Sequence, residues 1–168
     1  MSLGRKKAII RRFDRDWIAG YLQPAGFAAN DRLELLDLAG KVADIPLSEV
    51  KWICFVRDFN SGEVENPERL LRKAFAGRPR SEGLWIRFRL TDGDSIEGLT
   101  ANDLSLIDSC GLFLTPPDIR SNTQRMFLPR QSISEFEIIA VITNSSRKKR
   151  PQAARHEELQ EELFGAPE

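Results

Sequence analysis

From Leu84 to Leu90 the side chains alternate, Trp85, Arg87 and Arg89 against Ile86, Phe88 and Leu90. That period of two predicts a half-buried β-strand. "TDGD" at 91–94 follows as a hairpin turn, its Asp-Gly step supplying the positive φ such turns need. Gly98 interrupts the next strand, as where a small sheet must bend sharply. "MFLP" at 126–129 predicts a strand ended by proline, "RQSI" a short turn, and "EFEIIAVI" a closing strand. Five short, bent strands in so little chain predict a small closed barrel, which leaves no exposed edge.

The same pattern occurs earlier. "RRFDRDWIAGYL" (11–22) overlays "RLTDGDSIEGLT" (89–100) at an offset of 78, matching Arg11 to Arg89, Asp14 to Asp92, Asp16 to Asp94, Ile18 to Ile96 and Gly20 to Gly98. At that offset "LELLD" (33–37) falls on "GLFLT" (111–115). "IPLSEVKWI" (45–53) matches "LPRQSISEF" (128–136) at an offset of 83, which places the five extra residues in the "PPDIRSNT" loop. Ordered matches with one insertion predict an internal duplication. The fifth strands, "WICFV" (52–56) and "IIAVI" (138–142), are apolar on both faces. A wall with one wet face would alternate, so these strands are expected to pack between the two units or against another subunit.

Four segments follow: a first unit over 5–57, a linker over 58–83, a second unit over 84–143, and a tail over 144–168. Within the linker "NPERLLRKAFAG" (66–77) carries helix signals at both ends, and a helix over about 66–76 is expected. Asn66 can cap it, Pro67 suits the first position, Glu68 the positive dipole end, and Gly77 the stop. Leu70, Leu71, Ala74 and Phe75 would share its inner face. The tail runs from a basic "NSSRKKRPQ" into "AARHEELQEELFG", a helix near the length that is marginal alone, so a helical or disordered tail is expected.

Composition narrows the chemistry. With 41% hydrophobic and 30% charged residues and no apolar run near membrane-spanning length, the chain reads as a soluble globular protein. No signal-peptide pattern opens it. Cys54 and Cys110 have no framework spacing, which suits a reducing, cytoplasmic setting. One histidine, His156, and two scattered cysteines make no zinc set, and no GxSxG, P-loop or GxGxxG occurs. The closest carboxylate pairs, Asp14/Asp16 and Asp92/Asp94, fall where turns use Asp ordinarily. No enzyme, metal or cofactor is expected, and the chain reads as a binding or adaptor module.

The formal net charge of zero hides polarisation. Residues 69–80 hold five cations and no acid (Arg69, Arg72, Lys73, Arg78, Arg80), and 147–155 hold five more. The other 147 residues carry 15 basic against 25 acidic side chains. Such clusters attract phosphates or serve as solvated faces and partners for acidic surface. Arg69, Arg72, Lys73, Arg78 and Arg80, with Arg11 and Arg12 in support, are the candidate contacts for an anionic ligand, RNA or a protein partner.

Leu90-x-x-Gly93-x-x-Ile96-x-Gly98, then Asp103 and the apolar "GLFL", resembles the first motif of Sm-like domains, with "FLPRQSISEFEI" where their fourth and fifth strands fall. The resemblance covers 84–142 and, more faintly, 7–56. It implies an all-β protein of two tandem five-stranded Sm-like, SH3-like barrels. The family's RNA-gripping Asn would fall near Ile107, and "SISEF" lacks its Arg-Gly pair, so no binding residue carries over. "NDLSLIDSCGLFL" (102–114) is similar to the DxSxxG strand of PilZ domains, which implies cyclic-dinucleotide sensing. There Asp103 and Ser105 fit, Asp108 replaces the glycine, and Arg69/Lys73 stands for the upstream RxxxR. The chain as a whole is similar to an uncharacterised bacterial family.

Overall fold

The computed structural model describes residues 4–14, 16–23, 31–59, 73–118 and 122–143. These form ten strands: β1 (Lys6–Arg12), β2 (Trp17–Leu22), β3 (Arg32–Asp37), β4 (Val42–Pro46), β5 (Val50–Val56), β6 (Gly83–Leu90), β7 (Ser95–Thr100), β8 (Gly111–Leu114), β9 (Thr123–Pro129) and β10 (Ile133–Ile142). One helical turn, α1 (Ser105–Asp108), precedes β8. A seven-stranded sheet runs β4-β3-β2-β1-β5-β9-β8, and a three-stranded sheet runs β10-β6-β7. A single bridge, Leu99 to Thr115, links β7 to β8.

The two halves make the same ladders. β1 pairs with β2 from Lys6–Leu22 to Arg11–Trp17, and β6 with β7 from Leu84–Thr100 to Arg89–Ser95, residue for residue at the offset of 78. β1 and β5 carry a bulge between Arg11 and Arg12, and β6 and β10 carry one at the matching step, with a further shift between Ile138 and Ala140. Even single bonds recur. Arg12 N–H donates to the Asp16 carbonyl at 2.9 Å and Leu90 N–H to that of Asp94 at 2.8 Å, while Phe13 donates to Glu49 and Thr91 to Ser132. A 3-10 turn joins the fourth and fifth strands in each half, at Leu47–Glu49 and Arg130–Ser132.

One alignment needs correcting. Arg32 pairs with Pro46 and Gly111 with Pro129, so the third strands correspond at an offset of 79, not 78. Leu33 and Leu35 then match Leu112 and Leu114, all four buried. On that register the lone Leu99–Thr115 bridge is the counterpart of Tyr21–Leu36. The neighbouring Gly20–Asp37 pair has no equivalent because Pro116 stands at Asp37's place and has no N–H to give.

Among the described residues the strands form two sheets and no closed barrel is found; β9 of the second half is bonded to β5 of the first. β5 is therefore an interior strand, and both its faces are covered as its composition requires. Trp52, Cys54 and Val56 enter one core with Phe88, Ile96 and Leu114. Ile53 enters the other with Ile10, Leu33 and Leu35, joined there by Phe127 from β9. On β10, by contrast, Phe136, Ile138 and Val141 lie exposed, so within the chain this strand is not covered on both faces as β5 is.

The linker helix is also corrected where it can be seen. Residues 73–76 are irregular, with bends at 73, 74 and 76 and no helix. Ala74 is exposed rather than on an inner face. The backbone there is committed elsewhere, since the Lys73 carbonyl accepts from Glu97 N–H at 2.7 Å and Phe75 N–H donates to the Glu97 carboxylate at 3.1 Å. The rest of that helix and the tail over 144–168 lie outside the described residues.

Candidate functional site

Each half turns its first hairpin with an aspartate whose carboxylate accepts the amide two residues on. Asp14 accepts from Asp16 N–H at 3.0 Å and Asp92 from Asp94 N–H at 3.1 Å, the local bond that makes Asp a turn residue. The two turns are neutralised differently. In the first, Arg12 reaches Asp16, Asp14 and Glu49 from its own strand. In the second, Arg12's place is taken by Leu90, so cations come from outside. Lys51 Nζ on β5 lies 2.6 Å from Asp92 and 2.8 Å from Asp94, and Lys73 Nζ lies 2.7 Å from Asp94.

These ion pairs cross the seam between the halves. Lys51 is buried, its ammonium 4.7 Å from the centre of the Trp52 ring. Burial works against its charge, yet the bonds from Asp92 and Asp94 raise its pKa above the ordinary lysine value. For Asp94 burial pulls upward, and the two ammonium groups outweigh it, holding the carboxyl down to about 2. Asp92 is lowered against the same burial by Lys51. A fixed, ionised cluster results.

A cleft of about 690 Å³ opens over this cluster, lined by Arg11, Arg12, Phe13, Lys51, Lys73, Asp92, Gly93 and Asp94. Gly93, at φ 86°, makes the tight turn on which Asp92 and Asp94 line it. Three of the seven cations expected from sequence therefore meet here: Arg11, Arg12 and Lys73. Arg78 and Arg80 are exposed but do not line the cleft, and Arg69 and Arg72 lie outside the described residues. The sequence pattern marks Asp92 and Asp94 only as turn residues, and Lys51 is not among its candidates. The signal available was a lysine inside the apolar run of β5, where an unpaired charge could not remain.

Beside the cleft, Glu97 is buried and fully employed. It accepts from Trp85 Nε1 at 3.1 Å, from Phe75 N–H, and from Arg87 at 2.9 and 3.2 Å. Burial opposes its charge, but these donors together keep it below the usual glutamate range. The Phe75 ring stands edge-on to Trp85, with centroids 5.7 Å apart. Glu97 thus pins the basic segment to β7 and sets Lys73 against Asp94.

Of the PilZ-like residues, Asp103 accepts Ser105 N–H at 2.9 Å and its hydroxyl as well, a local bond at the start of α1. Cys54 is buried and Cys110 exposed, and neither is in a disulfide. Among the described residues no cluster of His, Cys, Asp and Glu is arranged to hold a metal, and no helix is long and apolar enough to cross a membrane.

Comparison with known proteins gives a family. Residues 4–140 match the model of a family of unknown function, DUF6982. No curated protein and no solved structure matches the chain.

Proposed function

The chain belongs to this family, and from that premise we propose that it is a non-catalytic adaptor built as two tandem Sm-like, SH3-like small barrels, taking an acidic protein partner at the seam. The shared registers support the tandem reading, because β5-β1-β2-β3-β4 in the first half recurs as β10-β6-β7, bridge, β8-β9 in the second. The observation that carries the functional reading is the cleft itself. Its carboxylates are held ionised between two lysines, which suits shape and charge display and not proton transfer. Arg11 and Arg12 of β1 line it with Lys73, and Arg78 and Arg80 lie exposed a few residues beyond Lys73. Cysteines outside any disulfide suit a cytoplasmic protein.

The same cations favour a second reading, contact with phosphates of RNA or a cyclic dinucleotide. Titrations of an oligoglutamate peptide, a single-stranded RNA and a cyclic dinucleotide at low and moderate salt separate the readings. The adaptor reading expects peptide binding that weakens with salt and falls about tenfold in Arg11→Glu/Arg78→Glu/Arg80→Glu, since each of these cations adds a modest increment. Preferential RNA or dinucleotide binding with the same loss establishes the second reading. Unchanged affinity in the reversed variant contradicts both.

A further inference from the structure

We propose that copies of this chain associate head to tail, the free edge of β10 in one molecule adding to the free edge of β4 in the next. The inference rests on the doubled strand order and not on the seam cleft, so the two readings can fail separately.

One such joint already exists inside each molecule. β5 of the first half pairs antiparallel with β9 of the second through Ile53–Phe127, Cys54–Met126 and Phe55–Arg125. In the duplicated order β10 is the counterpart of β5, and β4 is the counterpart of β9. Each molecule therefore contains one closed joint and both halves of a second. Among the described residues β10 is hydrogen-bonded to β6 alone and β4 to β3 alone, and they sit at opposite ends of the strand order. An edge with unpaired N–H and C=O groups is a template for another strand.

Side chains point the same way. The exposed large hydrophobic residues include Val42 at 66%, Phe136 at 57%, Ile138 at 50% and Val141 at 55%, all on these two strands. Ile53, which occupies Phe136's place in the internal joint, is 0% exposed. Carrying the internal register across at the offset of 83 sets Ile138 opposite Val42, Glu137 opposite Ala43 and Phe136 opposite Asp44, which is paired with Arg32 at 2.7 Å. The apolar pair is matched where the joint needs it, with Leu36 opposite Val42 on its other side. Glu135 and Glu137 do not block the edge, because they lie on the other face, 3.2 Å from Arg89 and Arg87. Two different edges meet, so the contact is heterologous, and a twofold pairing of β10 with itself would leave β4 bare.

Cross-linking tests the register. In a Cys110→Ser background, Val42→Cys and Ile138→Cys chains are prepared separately, and each is oxidised alone and after mixing. Directly opposed residues on paired strands lie within disulfide reach. The proposal expects a covalent dimer in the mixture and none from either chain alone. A cross-link formed equally by Ile138→Cys alone contradicts it in favour of a β10–β10 pair. No cross-link in the mixture contradicts it outright. Sedimentation of the wild type supplies an independent readout: the mass should rise above 19.1 kDa with concentration and fall back in Ile138→Lys. A single-chain mass up to about 1 mM, the weak end of specific association, overturns the proposal.

Discussion

Asp94 shows how a turn residue acquires a second task. The "TDGD" stretch discloses a hairpin turn to any reader of the sequence, because Asx bonding and glycine's positive φ are local. Its partner Lys51 lies 43 residues away and was not legible, since only the sheet brings β5 to the turn. The pairing has a pH signature. A carboxyl depressed from 3.8 to about 2 stabilises the fold fully above the unfolded value and loses that contribution as pH falls towards 2. With its side chain 32% exposed, solvent screening reduces this to on the order of 1–2 kcal/mol. Asp94→Asn should therefore be less stable than wild type by that amount at pH 7 in urea unfolding, and the gap should narrow by pH 2.5. A gap that stays constant over this range would show that the ion pairs contribute nothing.

At the scale of elements, strands were legible and their closure was not. Alternation and turns are local, and the duplication added a check by demanding the same ladders twice. The third strands slipped by one because "LELLD" and "GLFLT" offer leucines at both registers; the ladders to the fourth strands decide, and the shared burial of Leu33, Leu35, Leu112 and Leu114 agrees. The helix signals in "NPERLLRKAFAG" were overridden at 73–76 by Glu97, which claims backbone groups a helix would use. The two strand glycines prove to be sites of close approach. A Cβ at Gly20 would meet the Leu36 carbonyl oxygen at 2.4 Å, and one at Gly98 the Leu114 Cδ1 at 2.6 Å. A ladder carbonyl cannot yield, whereas a leucine can turn aside. Gly98→Ala should cost about 1–2 kcal/mol and Gly20→Ala about 3 or more, by chemical denaturation. Equal costs, or the reverse order, would mean that these contacts do not limit the fold.

For the whole molecule the seam is the organising feature. Fifth strands that are apolar on both faces announced a buried contact, and β5 meets it with β9, while β10 has no such neighbour among the described residues. What could not be read was that the fourth strand of one half would serve the fifth strand of the other, because strand partners are chosen by global packing. The consequence is that neither half owns its core. Trp52, Cys54 and Val56 complete the core of the second half, and Phe127 completes that of the first. Two units that share a sheet and exchange core residues should melt together. Calorimetry of the full chain tests this most directly: the account predicts one transition with calorimetric and van't Hoff enthalpies in agreement. Two resolved transitions, one abolished by Leu35→Ala and the other by Phe88→Ala, would contradict it.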